Sequence, residues 1–452
     1  MIILPSLEIV PAKYNSGTLL SQIPIDGTGD FTVSRTTSPV TGLSTRVNSL
    51  GLIETVNDNV PRLDYPLGGA VNGCPALLVE PSAQNSVLRS QDFSATWAAT
   101  VSATVTGVTS PDGTANASTF IADSTSNRVR QSVSLVSGTT YTYSLFGKFD
   151  ALSSGFTMNV FEENTTAYGS GVCQAFNLNE GTLGASGSVG AGFTLQSAGM
   201  ENYGNGWYRC RMTVLMGYTT PSGATGGRVG FRIGTAISGG RPLSVVSGSV
   251  SAWGAQLETG SVATSYIPTT TTSATRNADV INLSGAVSGC IGQTEGTIYA
   301  EVDFRSFASS LQRRIISLRV DGSNVLSLET NTAGNQFDFV AISGGVSVAA
   351  SASGITTGVY KIAVGYNSVA SGTVLYVNGI LRDTKTIAIP NLSTAVFGLG
   401  VRADGAAGTQ LNDRIRAAAI YQSRLTNTQL ALLTSPYTSY SSMASALSYT
   451  LG

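Results

Sequence analysis

The sequence predicts an all-β protein of two tandem antiparallel β-sandwiches, and three observations lead there. Short runs in which apolar and polar residues alternate recur along most of the chain, the period-two signature of half-buried strands. Glycine, 52 residues in all, joins Ser, Thr and Asn in punctuating these runs at turn-like intervals. At 452 residues the chain also exceeds one core, since single cores stop growing near roughly 250–300 residues.

Residues 1–85 read as an irregular leader. Its apolar bursts sit among Pro5, Pro24, Pro61, Pro75 and Pro81, and Pro cannot donate to a ladder, so no central strand is expected there. The leader is expected to wrap over the following sandwich or to dock on a neighbouring subunit. Residues 86–268 form the first sandwich, with strands at Gln131–Val136, Tyr141–Lys148, Phe156–Phe161 and Gly206–Leu215. Its closing strand places Trp253, Ala255 and Leu257 on one face at two-residue spacing. Residues 269–276 are an extended linker, pinned by Tyr266 and Ile267.

Residues 277–435 form the second sandwich. Its opening strand, Thr297–Phe304, turns Ile298, Ala300, Val302 and Phe304 inward and Tyr299, Glu301 and Asp303 outward. Asn378-Gly379 is a hairpin signal, because both central positions of a type I′ turn need positive φ. Arg414–Tyr421 closes the body. Thr426–Leu433 is the single helix expected, with Thr426 as N-cap and Gln429 completing a capping box. Residues 436–452 are a tail whose apolar side (Met443, Leu447, Leu451) is expected to meet another chain.

Composition narrows the function. Charged residues are 11%, against about 25% in an average soluble domain. A net charge of −1 gives no overall field for nucleic acid or an acidic membrane. No apolar run reaches the ~18 residues of a membrane span, and the start, MIILPSLEIVPA, lacks a secretory signal. A low-charge β protein without an export signal fits a particle released by lysis. Basic charge lies mainly on Arg, a residue suited to inter-chain contacts, and most of these arginines are read as solvated surface. The four cysteines, Cys74, Cys173, Cys210 and Cys290, are too scattered for a zinc site. Cys210 reads as a buried thiol, and a Cys173–Cys210 bridge is left open by the spacing.

A set of motifs resembles a widespread family of phage structural proteins, the tail or head appendage proteins. The residues that carry it are Ser34-Arg35, Gly51–Glu54, Asn59–Tyr65, Cys74–Pro81, Ser90–Ser94 with Trp97, Gly206–Arg209, Trp253–Glu258 and Thr264–Thr269. The resemblance implies a carbohydrate-binding-module-like jelly roll for the first sandwich. For the second it implies a concanavalin A or laminin-G-like fold, carried by Tyr376–Gly379 and Ile415–Leu433. It also implies a virion part that meets other virion proteins, as a homo-oligomer, a trimer by analogy.

The chemistry points to binding. With no histidine, neither a Ser-His-Asp nor a Cys-His nucleophile can be assembled. Glu301-Val-Asp303 is similar to the acidic strand of concanavalin-like sugar hydrolases, but the third acidic position is Arg305, so the acid–base partner of a retaining pair is missing. No enzyme is expected. Sugar rings stack on aromatic faces, which makes Trp97, Tyr208 and Tyr266, with Glu301 and Asp303, the glycan-binding candidates; Trp97, in a polar loop, is the most open of them, whereas Trp207 and Trp253 read as core. Asp404, Asn412 and Asp413 are the weak candidates for Ca²⁺, which needs six to eight oxygens. Solvated carboxylates account for them more plainly, so no metal or cofactor is expected. The function expected is a non-enzymatic virion structural protein, on head or tail, assembled in the host cytoplasm and binding host surface polysaccharide. The alternatives are a dedicated receptor-binding lectin and, further off, a polysaccharide depolymerase.

Overall fold

The structure is a computed structural model that describes residues 4–15, 17–35, 43–67, 74–123, 127–151, 155–162, 170–217, 226–243, 247–284, 287–305 and 312–436. The tail residues Met443, Leu447 and Leu451 lie outside the described residues.

The alternating runs become antiparallel strands, and these stack as two sandwiches. In the first, one six-stranded sheet runs Ala98–Val101, Asn127–Ser134, Gly226–Ile233, Gly155–Glu162, Gly171–Asn177, Thr182–Val189. The other runs Ala103–Val108, Ala117–Asp123, Ser247–Thr259, Thr140–Ala151, Trp207–Met216, Phe193–Gly204. Between them lies a core of Phe120, Tyr143, Leu145, Phe156, Met158, Phe176, Met212, Phe231 and their neighbours. Its rings meet edge to face, with Phe120 and Phe231 centroids 5.4 Å apart, the geometry favoured by the aromatic quadrupole.

The second sandwich pairs an eight-stranded with a nine-stranded sheet over a core that includes Ile298, Val302, Phe304, Leu326, Phe339 and Ile415. Two turn signals resolve as the sequence predicts. Asn378 and Gly379 both hold positive φ (50° and 82°) between the strands Thr373–Val377 and Ile380–Lys385. The helix Asn427–Thr434 starts at a Thr426/Gln429 capping box with both reciprocal bonds present.

The leader departs from its expected role. It adds strands to the second sandwich: Leu7–Ile9 and Ala76–Val79 pair with the closing strand Asp413–Tyr421, while Phe31–Ser34 pairs with Val280–Leu283. Leu7, Ile9, Leu19, Phe31 and Val33 are buried in that core. The prolines flank these short strands and do not interrupt them, so the ladder survives. The two bodies are therefore not simply in tandem. The first sandwich is an insertion into the second, entered through Ala83–Asn85 and left through Ala274–Arg276, which pair with each other as a neck. Residues 269–276, read as a linker, contain the returning strand of that neck.

A buried ion-pair cluster sits beside the neck. The Arg62 guanidinium contacts both the Glu80 and the Asp279 carboxylates, Arg35 donates to Asp279 at 2.7 Å, and Arg276 lies 3.0 Å from Glu80. Ser265 N–H donates to Glu80 at 2.7 Å. The three arginines are almost completely buried, and so are exceptions to the solvated surface expected of most arginines in the chain. Arg35, Arg62, Glu80 and Ser265 all come from the motifs quoted above, so part of that motif set marks the place where leader, insertion and second sandwich are joined.

A second departure concerns the insertion's closing strand. Val250 and Ala252 face the core, as do Ala255 and Leu257, a change of parity that needs one extra residue. The register slips opposite Ser144/Phe146, and Gly254 takes φ +64°, so Trp253 points to the opposite face from Ala255. There it meets Phe146, Trp207, Tyr266 and Ile53, the last from the leader.

Candidate functional site

The sequence-predicted sugar platform does not assemble. Trp97 is 7% exposed and belongs to the core of the first sandwich, its ring centroid 4.8 Å from that of Phe93. Its indole N–H donates to the Leu88 carbonyl at 2.9 Å. Tyr266 is buried among Trp253 and Phe146, with its hydroxyl 2.5 Å from Ser90 Oγ. Tyr208 is half-buried, its ring close against Gly181. Glu301 and Asp303 stand on the other body, on the outer face of the eight-stranded sheet. Each is held by an arginine, Glu301 at 3.4 Å from Arg416 and Asp303 at 2.9 Å from Arg305.

The metal candidates are likewise apart. Asp404 is bound by Arg402 at 2.7 Å and by Arg319 at 3.5 Å. Asp413 is buried in the closing strand, accepting from the Arg305 N–H at 3.0 Å. Burial pushes its carboxyl up to about 7, because the neighbouring Arg414 is engaged more closely by Asp64, at 2.6 Å. Among the described residues no group of three or more His, Cys, Asp or Glu side chains could hold a metal ion. All four cysteines are free thiols, and burial raises those of Cys173 and Cys210.

What the fold does assemble is a groove of about 320 Å³ on the outer face of the first sandwich, within the size range of small-ligand sites. Strand alternation builds it. In Asn127–Ser134, Val129 points into the core while Arg128 and Arg130 point out; in Gly226–Ile233, Val229 and Phe231 point in while Arg228 and Arg232 point out. The register sets Arg128 opposite Arg232, and Arg130 opposite Gly230. At Gly230 the two strands approach closely, since a Cβ there would come within 2.3 Å of the Val129 carbonyl oxygen, so this rung carries no side chain between Arg130 and Asn159. Asn159 and Phe161 line the groove from the next strand.

One wall is a small hairpin, Ile237–Ser238 with Arg241–Pro242, turned at Gly239 and Gly240, both with positive φ. It contributes Ser238, Arg241, Pro242 and Leu243 to the lining. The hairpin is clamped to the neighbouring strands, where a Cβ on Gly187 would come within 2.9 Å of the Gly240 backbone.

Among the described residues the lining holds five arginines and no acidic residue. Guanidinium stays charged at any physiological pH, so the groove is a fixed positive site. Arg228 donates to the Glu162 carbonyl at 3.1 Å, Arg128 to Thr100 Oγ1 at 2.9 Å, and Arg232 to Asn127 Oδ1 at 3.3 Å. Among the described residues Arg130 and Arg228 form no ion pair. Such an array is fitted to planar, bidentate recognition of carboxylate, sulfate or phosphate oxygens. Sequence reasoning missed it. The signal was there, in the spacing-two arginines of Asn-Arg-Val-Arg-Gln (127–131) and the spacing-four pair of Arg-Val-Gly-Phe-Arg (228–232), but neither run shows that the other lies beside it.

No protein-family model matches this chain, and no curated protein matches it. Among solved structures, the CBM40 of the Ruminococcus gnavus IT-sialidase is similar over 33% of this chain and 85% of its own, at 16% identity and a TM-score of 0.28. The NanB sialidase from Streptococcus pneumoniae is similar over 33% of this chain and 26% of its own, at 13% identity and 0.28. The binding domain of botulinum neurotoxin DC, solved in complex with SialylT, is similar over 34% of this chain and 39% of its own, at 14% identity and 0.28. The chemistry of the groove itself therefore has to carry the functional reading.

Proposed function

We propose that this chain is a non-enzymatic phage virion protein, an appendage, fibre or decoration component, whose first sandwich binds acidic polysaccharide on the host surface. The observation that carries the binding half is the groove, with five arginines and no carboxylate in its lining among the described residues. Arginine forks discriminate strongly for oxyanions, and a partly enclosed groove raises that preference by excluding water. Glycan fits better than nucleic acid, because single-strand binding relies on exposed aromatic platforms and the aromatic rings that line the groove among the described residues, Phe161 and Phe231, are buried.

The virion setting is supported by the motif resemblance and by a charged fraction of 11%. A binding role is favoured over hydrolysis by the arginines that hold Glu301 and Asp303. Other virion proteins and further copies of this chain, a trimer by analogy, are the proposed partners, at the particle surface. The test is a glycan array probed with the full chain. Acidic glycans are expected to bind and their neutral counterparts not to; equal signal from both, or none from either, overturns the reading. Imaging of purified particles tests the virion setting, and a protein absent from them defeats it.

A further inference from the structure

The arginines of the groove are not gathered at one point; they are spread along the strands. Three successive outward rungs can be read from the register. The first holds Arg128, Arg232 and Thr157; the second Arg130, Gly230 and Asn159; the third Ser132, Arg228 and Phe161. Outward-facing residues two apart on a strand are separated by about 7 Å, and four apart by about 14 Å. The groove thus has a paired-arginine end at Arg128/Arg232, a middle rung where Arg130 stands beside Gly230, and a single-arginine end at Arg228.

A site for one acidic group would converge its forks on one locus, since each extra charge left unengaged repels its neighbours. Here the two ends stand about 14 Å apart along the strand, so a carboxylate seated at Arg128/Arg232 leaves Arg228 unengaged unless that side chain folds back. Arg228 is also held in place at its end, by the bond to the Glu162 carbonyl, so it is not folded back toward Arg232. Between the ends the middle rung carries no side chain at Gly230, so fewer side-chain atoms stand there than at either end.

We infer that the groove takes a polyanionic glycan segment lying along the strands, with at least two acidic groups of one chain engaged at once, one at Arg128/Arg232 and one at Arg228. A lone terminal acidic sugar fills only one end. This inference rests on the reading of the groove as an acidic-glycan site. It adds a requirement for repeated charge, which suits a capsule or other acidic polymer better than a glycan capped by one acidic residue.

The experiment is calorimetric titration of the full chain with two acidic series, oligogalacturonides and α2,8-linked oligosialic acids, each from one to six residues, beside neutral maltohexaose and an oligodeoxynucleotide of matched charge. Affinity is expected to rise by at least about tenfold from the monosaccharide to the tetramer in one series or both, which corresponds to about 1.4 kcal/mol. Arg228→Gln is expected to shrink that gain with length to less than about threefold, whereas Arg232→Gln weakens every member; circular dichroism confirms that both variants are folded, and Arg130→Gln serves as a further variant. A monosaccharide that binds as tightly as the tetramer overturns the two-point inference and leaves the acidic-glycan site standing. Failure of every acidic member to exceed maltohexaose removes the site itself, and an oligodeoxynucleotide that binds more tightly than any glycan removes the glycan class.

Discussion

Arg62 donates to Glu80 across 2.5 Å in the interior of the molecule, joining two leader residues, the second of them three positions ahead of the neck strand. Asp279, on the far side of the insertion in sequence, takes the other arm of the same guanidinium. One side chain thus ties Glu80, 18 residues away, and Asp279, 217 residues away, into one cluster. Burial works to raise the carboxyl of Glu80, but Arg276 and Arg62 outweigh it and hold it well below the usual range; Asp279 is lowered in the same way by Arg62 and Arg35.

Arg62→Ala leaves two buried carboxylates short of a counter-charge, and breaking a buried pair this way costs about 3–5 kcal/mol. Urea unfolding is expected to show that loss. Arg62→Lys restores little, since an ammonium cannot fork to two carboxylates. A change under about 1 kcal/mol for the alanine variant would refute the cluster's role as a lock.

The pH dependence has two limbs. Glu80 and Asp279 titrate lower in the folded chain, so their stabilisation is present above their ordinary values of 4.5 and 3.8 and is lost as pH falls. Asp413 is the reverse: with its carboxyl pushed up to about 7, the folded chain binds more protons than the unfolded one between 3.8 and 7, and stability declines as pH rises through that window. Glu258, raised by burial, acts in the same direction. Asp413→Asn is expected to flatten the decline between pH 5 and 7 in thermal melts.

Trp97→Ala is expected to behave as a core deletion, costing about 3–5 kcal/mol. Arg130→Gln and Arg228→Gln, half-exposed and outside any core, should stay within about 0.5 kcal/mol of the parent. Denaturant curves for the three variants separate a packing residue from groove residues.

Because Asn85 and Ala274 are paired across the neck, their Cα atoms lie about 5 Å apart. A chain in which residues 86–273 are replaced by a short Gly-Ser link is expected to fold its second sandwich. Removing residues 1–35 is expected to unfold that same sandwich, since Leu7, Ile9, Leu19, Phe31 and Val33 each contribute about 1.5–3 kcal/mol of burial. Calorimetry of the two chains, read for the surviving transition, checks both outcomes.

Gly254→Val places a β-branched residue at φ +64°, with its Cβ only 2.8 Å from the Phe146 ring. The backbone alone costs about 1–3 kcal/mol. The near-ultraviolet signal of Trp253 is expected to change with it, because the bulge sets the direction of that indole.

Cleanly alternating strands such as Thr297–Phe304 with their inward and outward faces, the Asn378-Gly379 turn and the Thr426 cap could be read from the sequence, since each depends on residues only a few positions apart; the leader's strands and the face of Trp253 could not. Period-two alternation says that Arg128 and Arg130 face away from Val129; it does not say what lies beside them. Only the tertiary structure decided that Arg232 is opposite Arg128, that Leu7 pairs with Ile420, and that a bulge at Gly254 turns Trp253 over. The groove and the neck are products of strand order, set by which apolar faces bury each other best across the whole chain, and no local pattern carries that information.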